Sequence, residues 1–292
     1  MKKIFSENCN LSNYTTIKVG GVAEYFAEPK TIEEFYCLIE WSILNNQRCQ
    51  IIGAGSNLLI NNVFIKGLVI CTKKMKSLTI EPYSGIVEAE AGVMLPTLSN
   101  SLAKNGLQGG EWAVGIPGTV GGAIYMNAGT DNLSLAKNLI SVKVINNKTH
   151  EKLEIKKKDI NFNYRFSCFQ NNDLAIISAK LYFEPNGNLQ KLIETTKNNL
   201  KFKTEKQPYH LPSFGSVFKN PENSYAAKLI DDLGLKGFKI GGAEISRMHS
   251  NFIINNSSAS SKDIHELITV IQQKVLQKKG IFLHPEVRMI GY

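Results

Sequence analysis

Apolar positions along the chain change their spacing several times, and each change marks an element. Thr31-Ile32-Glu33-Glu34 has the form of a capping box, and Phe35, Leu38, Ile39 and Ile43 then recur at helical spacing. The continuous apolar run Cys49–Ile52 reads as a short buried strand that runs into Gly53-Ala54-Gly55, and residues 67–71 read as another. Residues 85–93 alternate, with Val87, Ala89, Ala91 and Val93 set against Glu88 and Glu90. A helix over Leu95–Lys104 follows and stops at Asn105-Gly106. Residues 142–145, the turn Asn146-Asn147-Lys148 and residues 151–155 predict a hairpin, and residues 175–183 a further strand.

After Glu184-Pro185-Asn186-Gly187 the pattern turns polar, with a helix over 189–203 and an extended stretch holding Pro208 and Pro212. The domain division is therefore placed between residues 187 and 188, giving domains 1–187 and 188–292. In the second, Ser260 and Asp263 cap a helix whose inner face is Ile264, Leu267, Ile268, Ile271 and Val275, with Gly280 as its stop. A last strand is expected over 281–290. Without repeats or regular βαβ alternation, the fold class is α+β.

Composition narrows the function. Of 292 residues, 43% are apolar and 20% charged, an ordinary globular balance that excludes collagen-like and disordered readings. No apolar run approaches the roughly 20 residues of a membrane span, and Ser6, Glu7 and Asn8 break the N-terminus before a signal-peptide core. A cytoplasmic protein with no membrane partner is expected. The formal charge of +9 suits a polyanionic partner. Lys73-Lys74-Met75-Lys76, Lys156-Lys157-Lys158 and the run at 274–279 lack interleaved aromatics, so they read as solvated faces and not as a nucleic-acid surface. Cys9, Cys37, Cys49, Cys71 and Cys168 are scattered, and the histidines show no ligand spacing, so neither a disulfide framework nor a metal site is expected.

Two glycine-rich loops carry the candidate chemistry. Gly53-Ala54-Gly55-Ser56-Asn57-Leu58 begins like a dinucleotide fingerprint, but Leu58 stands where the third glycine belongs, and Lys73 and Lys74 occupy the window for the acidic ribose partner. It reads instead as a strand-to-turn anion nest, or as a tight turn capped by Ser56 or Asn57. The second loop spans residues 109–123, with glycine at 109, 110, 115, 118, 121 and 122. Such density fits a backbone that approaches a ligand closely, where any Cβ would collide.

Further motifs accompany these loops. Thr15-Thr16-Ile17-Lys18-Val19-Gly20-Gly21 comes first, and Tyr125-Met126-Asn127-Ala128-Gly129 and Tyr164-Arg165-Phe166-Ser167 follow the second loop. Next come Gly215-Ser216-Val217-Phe218-Lys219-Asn220-Pro221, Gly242-Ala243-Glu244-Ile245-Ser246, His249-Ser250-Asn251-Phe252 and Glu286-Val287-Arg288. In number and order they make the chain resemble the UDP-N-acetylenolpyruvoylglucosamine reductases, in a compact form. Local sequence alone reads Arg165 as the partner of a surface carboxylate, Ser216 as a loop cap and Glu286 as the partner of Arg288.

The resemblance implies an FAD-binding region of two subdomains, of the vanillyl-alcohol oxidase-like type, followed by a smaller α+β substrate-binding domain. It implies that FAD is held by Gly53, Ala54, Gly55, Ser56, Asn57 and Leu58, and by Gly115, Ile116, Pro117, Gly118, Thr119, Gly121, Gly122 and Ala123. NADPH would reduce FAD, and hydride would pass from flavin N5 to C3 of UDP-N-acetylglucosamine-enolpyruvate, with a proton to C2, giving UDP-N-acetylmuramate for peptidoglycan. The resemblance implies Ser216 as the acid at C2, Arg165 as the grip on the carboxylate and Glu286 as a group acting neutral or through a shared proton. Tyr125, Lys219 and Asn220 are the expected substrate contacts, and a monomer is expected. Three departures stand out: Phe214 ahead of Gly215, expected to thicken the wall beside Ser216; Ser250 for a common alanine; and the continuation Thr130-Asp131-Asn132. The competing readings are another flavin oxidase or dehydrogenase of the same FAD-binding type and a basic nucleic-acid-binding protein.

Overall fold

The computed structural model describes residues 5–130 and 133–292. Asp131 and Asn132, part of the third departure, and Met1 to Ile4 lie outside the described residues. The chain forms two compact units. One comprises the described part of Met1–Asn8 with Glu24–Ala54 and Lys66–Phe202, the other Cys9–Ala23, Gly55–Ile65 and Lys203–Tyr292. The change of unit thus falls inside the helix Leu189–Lys206, whereas the sequence division falls just before it. Two early segments belong to the later unit because Ile17, Val19 and Leu59 are buried in its core.

In the first unit, an antiparallel sheet runs in the order Lys152–Lys156, Leu139–Asn146, Leu174–Tyr182, Ile86–Glu90, Leu78–Glu81. Its inner face packs Val87, Ala89, Val142, Val144, Ala179 and Leu181 against the helices Leu95–Lys104 and Val120–Met126. The predicted hairpin and alternating strand are both in it. A second core sets Phe35, Leu38 and Ile39 of the helix Ile32–Leu44 against Leu68 and Ile70, on a strand that pairs in parallel with Cys49–Ile52. Thr31 accepts from the Glu34 N–H as expected, but the Glu34 carboxylate reaches the Lys30 N–H at 2.6 Å, so the reciprocal bond falls one residue before the cap.

In the second unit, the antiparallel order is Ser213–Ser216, Phe252–Asn255, Ala243–Ile245, Lys239–Ile240. The helix Ser261–Lys279 lays Ile264, Leu267, Ile268, Ile271 and Val275 on this sheet's core residues, each fully buried aliphatic contributing about 1.5–3 kcal/mol. Its capping box is complete, and the Ser260 N–H bonded to the Asp263 carboxylate holds that carboxyl below its ordinary value.

The expected strand over 281–290 is a strand only at Arg288–Ile290, paired in parallel with Leu58–Ile60. Pro285 and Phe218 form an isolated bridge, closed by Glu286 N–H to Val217 O and Lys219 N–H to His284 O. Glu286 therefore precedes the strand. Phe214, expected at a site wall, is 1% exposed and lies in the core of this unit.

Among the described residues no helix is long and apolar enough to cross a membrane, and no group of three His, Cys, Asp or Glu could hold a metal ion. The cysteines are free thiols, and burial pushes Cys49 up to about 12 and Cys71 to about 11.

Candidate active site

In the first unit the strand Cys49–Ile52 delivers Gly53 against Thr119, where a Cβ at 53 would stand 2.5 Å from the Thr119 hydroxyl oxygen. Thr119 caps the helix Val120–Met126 by accepting from the Gly122 N–H at 3.2 Å. The loop is stitched down by Leu95 N–H to Gly118 O, Val120 N–H to Val93 O and Gly121 N–H to Ala91 O, at 2.8–2.9 Å. Its glycines are unequal. Gly109 is fixed by local bonds from its N–H to the Glu111 carboxylate and from the Trp112 indole to its carbonyl. Gly121 is dictated by packing, since its Cβ would lie 2.8 Å from that of Ala91. Gly122 is exposed, and a Cβ there would meet only the Thr119 hydroxyl, at 3.4 Å. The chain leaves that space open.

The first glycine loop leads into the strand Leu58–Ile60 and not into a helix, which excludes the strand–turn–helix dinucleotide site. Gly55 has φ +67°, and a Cβ on it would fall 2.0 Å from the Tyr14 carbonyl oxygen, so only glycine can stand there. The backbone N–H groups of Ala54, Ser56 and Asn57 have no acceptor among the described residues. Unused donors beside a left-handed glycine are what a phosphate-bearing cofactor such as FAD needs.

Arg165 occupies the two-residue turn of the hairpin Phe162–Asn163 and Phe166–Ser167, in the left-handed region at φ +54°. Its guanidinium donates to Gly129 O at 3.0 Å and lies 5.2 Å from the centre of the Tyr164 ring. Gln170 donates to both Tyr125 O (2.9 Å) and Arg165 O (3.3 Å), and the Ser167 hydroxyl also reaches Tyr125 O. Asn127, left-handed at the end of the helix, donates to Asn163 O, while its own Oδ1 is buried without a partner among the described residues. The structure thus brings Tyr125 and Arg165 into one knot of the first unit. Gln170 and Asn127 were missed by sequence reasoning, though an asparagine just after a helix is a recognisable left-handed signal.

The second unit gathers Ser216, Lys219, Asn220 and Glu286. A register shift between Ser213 and Ser216 marks a bulge, with Gly215 at φ +78° as its pivot, and a bulge of this kind re-aims the side chain that follows. Ser216 is half-buried, and its hydroxyl has no partner among the described residues. The next residue, Val217, takes Glu286 N–H on its carbonyl at 2.7 Å. Glu286 is held from its other side by Asn57, whose side-chain amide donates to Glu286 O at 3.1 Å and whose carbonyl accepts from Arg288 N–H. Asn57, expected at the cofactor, therefore also acts as a strap on Glu286. The Lys219 N–H bonds to His284 O, and its ammonium has no ion pair among the described residues. Asn220 Oδ1 accepts from Ala226 N–H, capping the helix Ala226–Asp231. The Ser250 hydroxyl donates to Ala227 O at 2.5 Å, a bond that an alanine there could not make. Burial, with the nearby Lys236 charge, holds His249 below its ordinary value, in keeping with its Nδ1 accepting the Asn251 N–H.

Comparison with known proteins gives a consistent answer. Residues 23–151 match the model described as FAD binding domain, and residues 207–290 the model described as UDP-N-acetylenolpyruvoylglucosamine reductase, C-terminal domain. A UDP-N-acetylenolpyruvoylglucosamine reductase of Prochlorococcus marinus subsp. pastoris is 74% identical, across 100% of this chain and 99% of its own length. A Synechococcus relative of the same name is 43% identical over 96% of this chain and 92% of its own. The crystal structure of UDP-N-acetylenolpyruvylglucosamine reductase from Thermus caldophilus superposes with a TM-score of 0.82 at 29% identity, covering 98% of this chain and 99% of that one.

Proposed function

The chain belongs to the UDP-N-acetylenolpyruvoylglucosamine reductase family, an FAD oxidoreductase, and on that premise we propose that it reduces UDP-N-acetylglucosamine-enolpyruvate to UDP-N-acetylmuramate with NADPH. The observation that carries the reading is the backbone bond between Val217 and Glu286, which sets an unpartnered hydroxyl and a carboxyl group in one cluster of the second unit. Residues 1–187 are proposed to hold FAD and residues 188–292 the sugar nucleotide. A cytoplasmic location follows from the reaction, since NADPH and nucleotide sugars are cytoplasmic.

The residues of the two glycine loops would hold FAD, which when bound would supply the two-electron chemistry between NADPH and the enolpyruvyl group. The remaining work belongs to side chains. Hydride addition at C3 leaves an enolate conjugated to a carboxylate, which needs a cation on its oxygens and an acid above C2. Arg165 is the cation, and its planar fork suits a carboxylate. Ser216 delivers the proton to C2, a transfer that only so basic a carbon makes feasible for a hydroxyl. Glu286 works in its neutral form beside the developing charge. The unpaired ammonium of Lys219 adds positive charge for a diphosphate, and Tyr125 and Asn220 complete the proposed contacts.

An anaerobic visible spectrum tests the whole reading. Bleaching of the flavin band by NADPH and its return on adding UDP-N-acetylglucosamine-enolpyruvate are expected. Bleaching without return would move the substrate elsewhere, and a protein colourless after incubation with FAD would end the reading.

Two narrower results are expected. Gly122→Ala fills the open space over the helix with a better helix former, so the apo-protein gains about 0.5–1 kcal/mol. The same methyl intrudes on the cofactor and weakens FAD binding by about 1–3 kcal/mol, roughly tenfold or more. A thermal melt with and without FAD reads both signs, and unchanged FAD affinity would remove Gly122 from the cofactor site. For Glu286, activity that requires the protonated carboxyl falls as pH rises through its pKa. Glu286→Gln cannot ionise and should lose that limb of the pH–rate profile; an unchanged profile excludes the neutral-acid role.

A further inference from the structure

We propose that Asn251 is a positioning residue that sets Ser216 and Glu286 relative to one another, an inference that rests on the function proposed above. In an antiparallel ladder, consecutive N–H groups point alternately to the two sides. After Ser216 this alternation fails: the N–H groups of both Val217 and Phe218 reach Asn251, the first on its main-chain carbonyl at 2.9 Å, the second on its side-chain Oδ1 at 3.0 Å. The Asn251 Nδ2 returns to Phe218 O at 2.9 Å. The side-chain amide stands in for a peptide group, extending the edge of the strand Phe252–Asn255 past the point where its backbone turns away. Only an amide carries the donor and acceptor this requires.

Asn251 is 3% exposed, so these bonds are made out of water, where an unmade partner is costly. Its own N–H is taken by His249 Nδ1. On the opposite edge the same short segment takes Glu286 N–H on Val217 O, while Lys219 N–H reaches His284 O. Val217-Phe218 is thus the middle rung between Asn251 and Glu286, and Ser216 is bonded directly to it. Freeing Phe218 lets the rung rotate and changes the spacing of the proton donor and the carboxyl group. Among the described residues Asn251 makes no bond to either glycine loop, and Asn57 of the first loop bonds only to the backbone of Glu286 and Arg288, so the loss should fall on protonation and leave flavin reduction alone.

Stopped-flow absorbance of the FAD-loaded enzyme separates the two half-reactions. Asn251→Leu removes both side-chain bonds. Asn251→Asp keeps the volume and the acceptor for Phe218 N–H but sets a carboxylate oxygen against Phe218 O. For both, bleaching by NADPH should stay within about twofold of wild type, while the return on UDP-N-acetylglucosamine-enolpyruvate slows about 100-fold, the cost of a misplacement near 1 Å. If Asn251→Leu fails to fold, Asn251→Asp carries the same comparison. Equal slowing of both half-reactions, a return at the wild-type rate, or failure of both variants to fold would each overturn the positioning role. A wild-type enzyme that bleaches and never returns would overturn the functional reading, and this inference with it.

Discussion

Ser216→Ala should leave bleaching of the flavin by NADPH at its normal rate and slow the return with UDP-N-acetylglucosamine-enolpyruvate by about 10²–10⁴-fold, the usual worth of a positioned general acid. The substitution is clean in this fold. The Ser216 hydroxyl has no partner among the described residues, so its removal orphans nothing, and the bulge that aims the residue is made by Gly215 and by backbone bonds that alanine keeps. Folding stability should change by less than about 0.5 kcal/mol. Double-mixing stopped flow, with NADPH first and the enolpyruvyl sugar second, reads the two steps in one trace. Loss of bleaching along with return would show that Ser216 does not act on proton delivery alone, and an unimpaired return would hand the proton to another group.

The elements that were legible in the sequence are those whose cause is local. The helices Leu95–Lys104 and Ser261–Lys279 announce themselves through apolar spacing and through Asn105 or the Ser260–Asp263 box at an end, all within a few residues. The hairpin around Asn146 is legible for the same reason, its turn and both strands being contiguous. What was not legible depends on partners far away in sequence. Ile17 and Leu59 carry no mark of a core built mainly from residues beyond 213. Phe214 looked like a site wall because a bulge is invisible in a pattern of alternation. Glu286 reads as a strand residue in the sequence, but the pairing that makes a strand there begins only at Arg288, opposite Leu58, a partner far away in sequence. Motif resemblance can propose Ser216, Arg165 and Glu286, because the chemistry proposed for them is in the side chain. Asn251 and Gln170 act through backbone partners, and spacing says nothing of those.

Arg165→Ala should cut the return step by about 10²–10³-fold, the range for removing a group that stabilises developing negative charge. Arg165→Lys should recover little of it, since an ammonium keeps the charge but not the two parallel donors. The backbone supplies an internal control. Arg165 is held at φ +54° in a two-residue turn, by Gln170 on its carbonyl and by Gly129 on its guanidinium. A left-handed conformation costs a residue with a Cβ about 1–2 kcal/mol and costs glycine almost nothing. Arg165→Gly and Arg165→Ala lose the same guanidinium, so their difference is that strain less the extra backbone entropy glycine loses on folding, about 0.5–1 kcal/mol, and the glycine variant should be the more stable by about 0.5–1 kcal/mol. For a protein of this size that is about 2 °C in the melting temperature. Both variants should nevertheless return the flavin band equally slowly. Equal melting of the two would mean the turn relaxes once the guanidinium is gone. A wild-type rate of return in either would show that the carboxylate of the enolpyruvyl group is gripped by something else. The pairing of a strained backbone with a charge that no other residue of the hairpin supplies is what a functional turn requires: the sequence keeps arginine where the conformation alone would favour glycine.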